Sequence, residues 1–311
     1  MRIAIFGAGG VGGYFGGRLA QAGEEVTLIA RGAHLQALRT RGLRVESING
    51  DFEIHPVQAT DNPASVGQVD AVVLGVKAWQ VSEAAEAIRP MVGPDTCVVP
   101  LQNGVEAASE LAAALGAQHV LGGVCRIFSF IAAPGHIRHT DTNPSLRIGE
   151  MEDRPDERAR RLCEAFVRAG VDAAVPSDIQ AELWQKFVFI TAFSGIGAIT
   201  RSPVGVWRSI PETRRMYAQA LDEVLRVARA RHIAIPETAI AGAMDTLDNH
   251  QPDATSSLQR DITAGRPSEL HYQNGAVVRL GREAGVETPL HATIYHSLLP
   301  MERKARGELT F

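Results

Sequence analysis

Residues 7–12 read Gly-Ala-Gly-Gly-Val-Gly, set between the apolar run Ile3-Ala4-Ile5-Phe6 and a helix-like stretch that ends near Ala22. A strand, a tight glycine turn and a helix N-terminus in that order hold free backbone N–H groups against a pyrophosphate, and the helix dipole favours negative charge there. Gly7 permits the turn, Gly9 admits a diphosphate to the backbone, and Gly12 lets the helix close on the sheet, with Gly10 and Val11 completing the cofactor-binding loop. Glycine-rich turns are common, and the opposing reading is an ordinary loop. The strand–turn–helix context favours a dinucleotide site.

The next strand-like run, Glu25 to Ala30, ends in Arg31-Gly32 where an Asp or Glu would hold the adenosine ribose hydroxyls. A guanidinium can grip a 2′-phosphate through two parallel, charge-assisted hydrogen bonds, so the cofactor read from these residues is NADP(H) rather than NAD. The plain alternative is a solvated loop charge, since Arg39, Arg41 and Arg44 follow closely. Lys77 and Asn103 each follow a further apolar run, Ala71 to Val76 and Cys97 to Leu101. Ligands in open α/β sheets lie beyond the carboxyl ends of the strands, which makes both residues candidates for cofactor or substrate contact; a loop lysine and a simple Asn-Gly turn are the alternatives.

Two titratable residues in the second half could do chemistry. Lys186 stands in Ala181-Glu182-Leu183-Trp184-Gln185-Lys186-Phe187-Val188-Phe189-Ile190-Thr191-Ala192-Phe193, a helix too apolar to be exposed on most faces. Its ammonium either snorkels to water, pairs with Glu182 one turn back, or serves a reaction. Glu269 is read in the first turn of a helix entered near Ser268, where its plain role is a dipole-favourable surface carboxylate.

These residues need a framework to carry them. Alternating strand-like and helical runs through the first half predict a doubly wound α/β sheet, Rossmann-like. From about Val120 to Gly149 the pattern becomes β-rich with a Pro134-Gly135 turn, predicting antiparallel strands that finish the sheet. A charged helix from about Pro155 to Ala169 and a last edge strand, Val171 to Val175, follow. Beyond Pro176 strand signals stop and the rest is helical by periodicity, including Glu212 to Arg231 and Thr288 to Arg306. The expected division is a Rossmann-like nucleotide-binding domain over residues 1–177 and an all-helical substrate domain over residues 178–311.

Composition limits the function classes. A chain of 311 residues can bury a sizeable core, and a net charge of −4 gives no basic excess to attract nucleic acid. The first apolar run breaks at Gly7, too early for a signal peptide, and no later run reads as a membrane span, so the expected setting is cytoplasmic. Cys97, Cys125 and Cys163 are scattered and the histidines lack ligand spacing, so neither a disulfide framework nor a metal site is expected. The long apolar helices could supply a homodimer interface.

Taken together these stretches resemble the ketopantoate reductase (2-dehydropantoate 2-reductase) family from the first strand to the last helix. The resemblance is carried by the glycine turn, Arg31, Lys77-Ala78-Trp79-Gln80, Gln102-Asn103-Gly104-Val105, Ala181 to Lys186, Ser256-Ser257-Leu258-Gln259-Arg260-Asp261, and Glu269 with Tyr272 and Asn274-Gly275. It implies NADPH-dependent reduction of ketopantoate to pantoate, a step of pantothenate and coenzyme A biosynthesis. Arg31 and Lys77 would bind NADPH, Asn103 would help hold nicotinamide and substrate, Lys186 would be the general acid, and Ser257 and Glu269 would contact the substrate. Family members commonly carry asparagines four and eight residues after the catalytic lysine; here those positions are Ile190 and Ser194. Ser194 can still contact substrate, whereas Ile190 cannot hydrogen-bond a hydroxyl, which points toward a more apolar 2-oxo acid as the alternative substrate. A dehydrogenase running in the opposite direction on a 2-hydroxy acid, and a non-catalytic NADP(H) redox sensor, would share the N-terminal features.

Overall fold

The computed structural model describes residues 1–151 and 156–311. Pro155, expected at the head of the charged helix, lies outside the described residues. In chain order the first half contains β1 (Arg2–Phe6), α1 (Gly10–Gln21), β2 (Glu25–Ile29), α2 (Gly32–Arg41), β3 (Leu43–Ser47), β4 (Phe52–Ile54) and β5 (Gln58–Thr60). It continues with β6 (Ala71–Leu74), α3 (Val81–Ile88), β7 (Cys97–Pro100), α4 (Ala107–Leu115), β8 (Leu121–Ala133), β9 (His136–Glu150), α5 (Glu157–Arg168) and β10 (Asp172–Ala174). Two compact units result: Met1–Gln102 with Glu106–Glu182, and Asn103–Val105 with Leu183–Phe311.

The first sheet is parallel throughout, in the order β5-β2-β1-β6-β7. Its central strands are apolar on both faces because both faces are covered: Ile3 and Ile5 enter one buried cluster, Ala4 and Phe6 the other, and β6 divides Ala71 and Val73 from Val72 and Leu74 in the same way. Each fully buried Val, Leu, Ile or Phe contributes roughly 1.5–3 kcal/mol, so the alternation alone holds the sheet between two layers.

One expectation is corrected. The β-rich stretch does not finish this sheet. β8 and β9 form an antiparallel hairpin in a second sheet, ordered β10-β9-β3-β4, and among the described residues a single isolated parallel bridge, Val98 to Val120 just before β8, joins its start to the first. The sequence Gly10-Val11-Gly12-Gly13-Tyr14-Phe15-Gly16-Gly17 explains the arrangement, because α1 has sheet on two sides. A first side-chain carbon at Gly16 would stand 2.7 Å from Leu28 and 2.8 Å from Ile5 of the first sheet, whereas one at Gly17 would stand 2.8 Å from Leu43 and 2.9 Å from Phe52 of the second. Glycines one residue apart, each repeated four residues on, give the helix two bare stripes along which both sheets approach. The short strands β3 and β4 of this second sheet gave no distinct signal in the sequence.

The second unit is helical: α6 (Ile179–Thr200), which starts in the first unit, then α7 (Val204–Ser209), α8 (Pro211–Ala230), α9 (Ala239–Asn249), α10 (Ser257–Thr263), α11 (Asn274–Glu283) and α12 (Pro289–Ala305). By length and composition α6 would suffice to cross a membrane, contrary to the sequence expectation. In this unit it is instead a core helix, with Trp184, Phe187, Phe193 and Ile196 packed among Trp207, Tyr217, Leu221 and Ile294. Buried polar groups are matched where helices meet: the Glu223 carboxylate on α8 accepts the Leu290 and His291 N–H groups at 2.8 and 2.9 Å, satisfying open donors of the first turn of α12.

Candidate active site

In the first unit, Gly7 has φ +96°, and a side-chain carbon there would stand 2.7 Å from the Val76 nitrogen. Both the left-handed backbone and the close approach of the neighbouring strand's continuation require glycine. At Gly12 such a carbon would collide with the Gly7 carbonyl, and at Gly10 it would stand 2.7 Å from the Phe130 backbone, so these two glycines serve packing of helix on turn and hairpin on helix. Gly9 is different: among the described residues nothing beyond its chain neighbours lies within 4 Å of where its side chain would be. The first helical bond runs from Gly13 N–H to the Gly9 carbonyl at 2.7 Å, so the N–H groups of Gly10, Val11 and Gly12 precede the first bond and suit an anion. The loop is tied to β2 by the Gly7 and Ala8 N–H groups, both donating to the Ile29 carbonyl at 3.1 and 3.0 Å.

His34, to which the sequence reading assigns nothing, braces the same loop. Its Nδ1 accepts from Gly135 N–H at 3.1 Å, which leaves Nε2 to donate to the Ala8 carbonyl at 2.9 Å. Burial pushes its pKa below the ordinary histidine value, consistent with that neutral tautomer. Its partners are 26 and 101 residues distant in sequence, so no local signal could reveal it. Arg31 is the residue before α2, exposed, and pairs at 3.3 Å with the equally exposed Glu83. Such a pair contributes about 0–1 kcal/mol and leaves the guanidinium open to a stronger anion. Lys77 heads a short 3₁₀ turn, Ala78–Gln80, with its ammonium 5.8 Å from the centre of the Trp79 ring. Gln102, just before Asn103, donates to the Leu74 and Val76 carbonyls at 3.0 and 2.9 Å and so laces the ends of β6 and β7.

In the second unit, Asn103 Nδ2 donates to Glu269 Oε2 at 3.2 Å across 166 residues of sequence. Gly104, at φ +121°, passes close to the Tyr272 carbonyl, where a side-chain carbon would stand 3.0 Å away. Glu269 is buried, and its placement is a second correction. It lies not in the first turn of a helix but in a hydrogen-bonded turn before α11. Its carbonyl accepts the Tyr272 and Gln273 N–H groups at 3.0 and 2.9 Å, then Gln273 leaves helical geometry (φ −107°, ψ −94°) and α11 starts at Asn274. The Gln273 amide nitrogen stands 3.5 Å from the same Glu269 oxygen, the outer limit of a hydrogen bond.

Lys186 is half-buried on α6. Glu182, its expected pairing partner, instead accepts from Arg126 at 3.1 Å, and among the described residues Lys186 has no hydrogen bond or ion pair. Two glycines of α6 admit neighbouring segments: a side-chain carbon at Gly195 would stand 2.6 Å from the Asn274 amide nitrogen, and one at Gly197 2.5 Å from the Gln259 amide oxygen. Asn274 donates to the Thr191 carbonyl at 3.3 Å, which ties the start of α11 to α6, and Gln259 on α10 donates to the Ser202 carbonyl, just past the end of α6, at 3.0 Å. Ser257 opens α10, half-buried, after Ser256 caps it by accepting Gln259 N–H at 3.0 Å. Ser194 is buried, and among the described residues its hydroxyl has no hydrogen-bond partner. The unit thus holds an ammonium, a carboxylate fixed by an amide, and hydroxyls on neighbouring elements: a set able to bind a polar small molecule and exchange a proton with it.

The family model described as ketopantoate reductase PanE/ApbA matches residues 3–153, and its C-terminal counterpart matches residues 178–302. The 2-dehydropantoate 2-reductase of Mesorhizobium japonicum is 34% identical, with 93% of this chain and 94% of the relative aligned. This chain belongs to the ketopantoate reductase family. Members of this family are oxidoreductases acting on a CH–OH group, and the solved structures agree in fold. The PanE/ApbA family ketopantoate reductase from Ralstonia eutropha superposes with a TM-score of 0.90 at 32% identity, covering 98% of this chain and all (100%) of that one. The 2-dehydropantoate 2-reductase from Geobacter metallireducens gives 0.91 at 30% identity, covering 96% and 99%. A parallel sheet with helices followed by a helical C-terminal half is thus both the expected and the observed architecture. Ile190 is half-buried on α6, one helical turn beyond Lys186.

Proposed function

We propose that this chain reduces 2-dehydropantoate (ketopantoate) to pantoate with NADPH, with residues 1–177 binding the nucleotide and residues 178–311 the substrate. The observation that carries the reading is Lys186: an ammonium on a core helix, without a protein counter-charge among the described residues, in the same unit as a carboxylate held by Asn103. The open side of Gly9 and the N–H groups of Gly10, Val11 and Gly12 fit a diphosphate, and Arg31 in place of an acid after β2 fits a 2′-phosphate, with Lys77 as a further cation. When bound, NADPH supplies the hydride. Lys186 stabilises the negative charge that develops on the substrate's carbonyl oxygen and delivers the proton to it. Glu269, oriented by Asn103, accepts a hydrogen bond from the substrate hydroxyl, while Ser257 and Ser194 offer hydroxyls to the rest of the acid.

A second reading, a more apolar 2-oxo acid, is favoured by Ile190, because a site without that donor loses about 1–3 kcal/mol for a substrate whose polar group is left unpaired. Purified protein mixed with NADPH and a panel of 2-oxo acids separates the two by absorbance. Ketopantoate should give the highest kcat/KM; a gain of ketopantoate activity in Ile190→Asn would instead assign the natural substrate to the apolar acids, and no NADPH oxidation with any acid would overturn both.

A further inference from the structure

The residue before Glu269 is held from a different helix. Ser268 is fully buried, and its three polar groups all meet the last turns of α12. Its N–H donates to Glu302 Oε2 at 3.0 Å and lies 3.2 Å from Oε1, its hydroxyl donates to Oε2 at 2.5 Å, and its carbonyl accepts from Arg306 Nη2 at 3.0 Å. Arg306 in turn donates through Nε to Glu302 Oε1 at 2.6 Å. The Ser268 hydroxyl also accepts the Leu270 N–H at 3.2 Å, so both sides of Glu269 are tied to one side chain. Glu302 itself is buried, with 4% of its side chain exposed.

A buried carboxylate is costly unless its oxygens are matched by donors. Here three donors surround it, the Ser268 N–H, the Ser268 hydroxyl and the Arg306 guanidinium that balances its charge, and the matched group grips backbone rather than another surface charge. Of the hydrogen bonds around the Glu269 turn, those from Tyr272 and Gln273 N–H are local and would form in many registers of that turn. The bonds from α12 are not local: they bind Ser268 across 34 residues and set the direction in which the next side chain leaves the chain. Asn103 Nδ2 and Glu269 Oε2, 3.2 Å apart, require that direction.

We infer that Glu302, with Arg306, is a positioning residue: by clamping Ser268 it aims the Glu269 carboxylate at Asn103 and thereby at the substrate. The inference rests on the proposed role of Glu269 and extends it to a helix that contributes no candidate contact to the substrate. Displacement of a reacting or orienting group by about 1 Å costs on the order of 10²-fold in rate. Loss of the clamp therefore acts on turnover and 2-oxo acid binding, while nucleotide affinity stays.

The test compares Glu302→Gln, which keeps size but loses charge and one acceptor, and Ser268→Ala, which keeps the backbone bonds and loses only the hydroxyl. A control is Glu308→Gln at the exposed end of the chain. The first readout is the side-chain amide resonance of Asn103 in a ¹H–¹⁵N spectrum of the full-length protein, identified by its disappearance in Asn103→Ala. It should move in both variants and stay in the control. The second is steady-state kinetics: roughly a 10- to 100-fold fall in kcat/KM for the 2-oxo acid in Glu302→Gln, less in Ser268→Ala, with the NADPH dissociation constant within about twofold of the parent. An unmoved Asn103 resonance in both variants, with only a lower melting temperature, would overturn the inference. If Glu302→Gln fails to fold, Ser268→Ala decides alone. Should the parent protein turn over no 2-oxo acid, the functional reading falls, while the resonance still decides whether α12 aims Glu269.

Discussion

In the sheet unit the groups proposed to meet a ligand are main-chain N–H groups from one uninterrupted stretch, Gly10 to Gly12, backed by a turn that only glycine can make at Gly7. In the helical unit the proposed groups are side chains, Lys186, Glu269, Asn103, Ser194 and Ser257, carried on four separate segments, of which Asn103 and Glu269 meet directly. A backbone site depends on what is absent from the side chains around it. A side-chain site depends on what distant helices hold in place, and so it can change chemistry by single substitutions, which the Ile190→Asn variant tests. The difference implies that the two halves of the proposed reaction should fail separately.

Lys186→Ala is the sharpest way to break that separation. Loss of a general acid should lower kcat by about 10²–10⁴-fold, and NADPH affinity measured by fluorescence titration should be unchanged. If affinity fell in parallel, the two halves would not be independent; and if turnover survived, a group other than Lys186 would be the general acid.

The next largest effect concerns the helical unit alone. His291 is fully buried and neutral: Nε2 donates to the Ala220 carbonyl at 3.0 Å and Nδ1 accepts from Asn274 at 3.1 Å. Burial pulls its pKa down to about 4 from 6.5. Because the folded state resists protonation, the unfolded chain binds the extra proton first as pH falls. The stabilising difference is complete above pH 6.5 and is lost between 6.5 and about 4, an amount on the order of 3 kcal/mol. Urea titrations across that window should show the loss, and His291→Gln should flatten it; an unchanged slope in the variant would assign the acid sensitivity elsewhere.

Gly12→Ala tests the other half. The added carbon meets the Gly7 carbonyl, so the turn and helix must part, at a cost of roughly 1–3 kcal/mol and with weakened nucleotide binding. Equal NADPH affinity in parent and variant would mean that the turn does not cradle the diphosphate. The smallest expected effect is that of Arg31→Ala, about a tenfold rise in the NADPH dissociation constant with NADH nearly unaffected and no change in melting temperature, since the Glu83 pair is exposed. Equal losses for both nucleotides would remove Arg31 from 2′-phosphate recognition.

The same contrast governs what could be read from the sequence. The parallel sheet and glycine turn were legible because strands buried on both faces and turns with positive φ impose residue types locally. The helical half was legible as helices, and Lys186 stood out because a charge within an apolar run is conspicuous. The second sheet was not legible: β4 is three residues long, and its packing depends on bare stripes of α1 that look, in sequence, like extra glycines of the nucleotide loop. The turn around Glu269 reads as helix because its flanks show no strand alternation and Ala276 to Leu280 continue a helical pattern, while the Ser268–Glu302 bonds that hold it are far apart in the chain. His34 and Gln102 act through carbonyls, which carry no sequence label at all.

Asn103 to Val105 are grouped with the helical unit although the rest of that unit starts 80 residues later, at Leu183. The polypeptide therefore enters the helical half briefly, goes back to complete the β8–β9 hairpin, and only then stays. A recombinant fragment cut at the later junction would be severed from the amide that orients its own carboxylate. Exchanging halves between relatives at that junction would part Asn103 from the Glu269 it bonds, so the asparagine loop and the Glu269 turn have to be moved together.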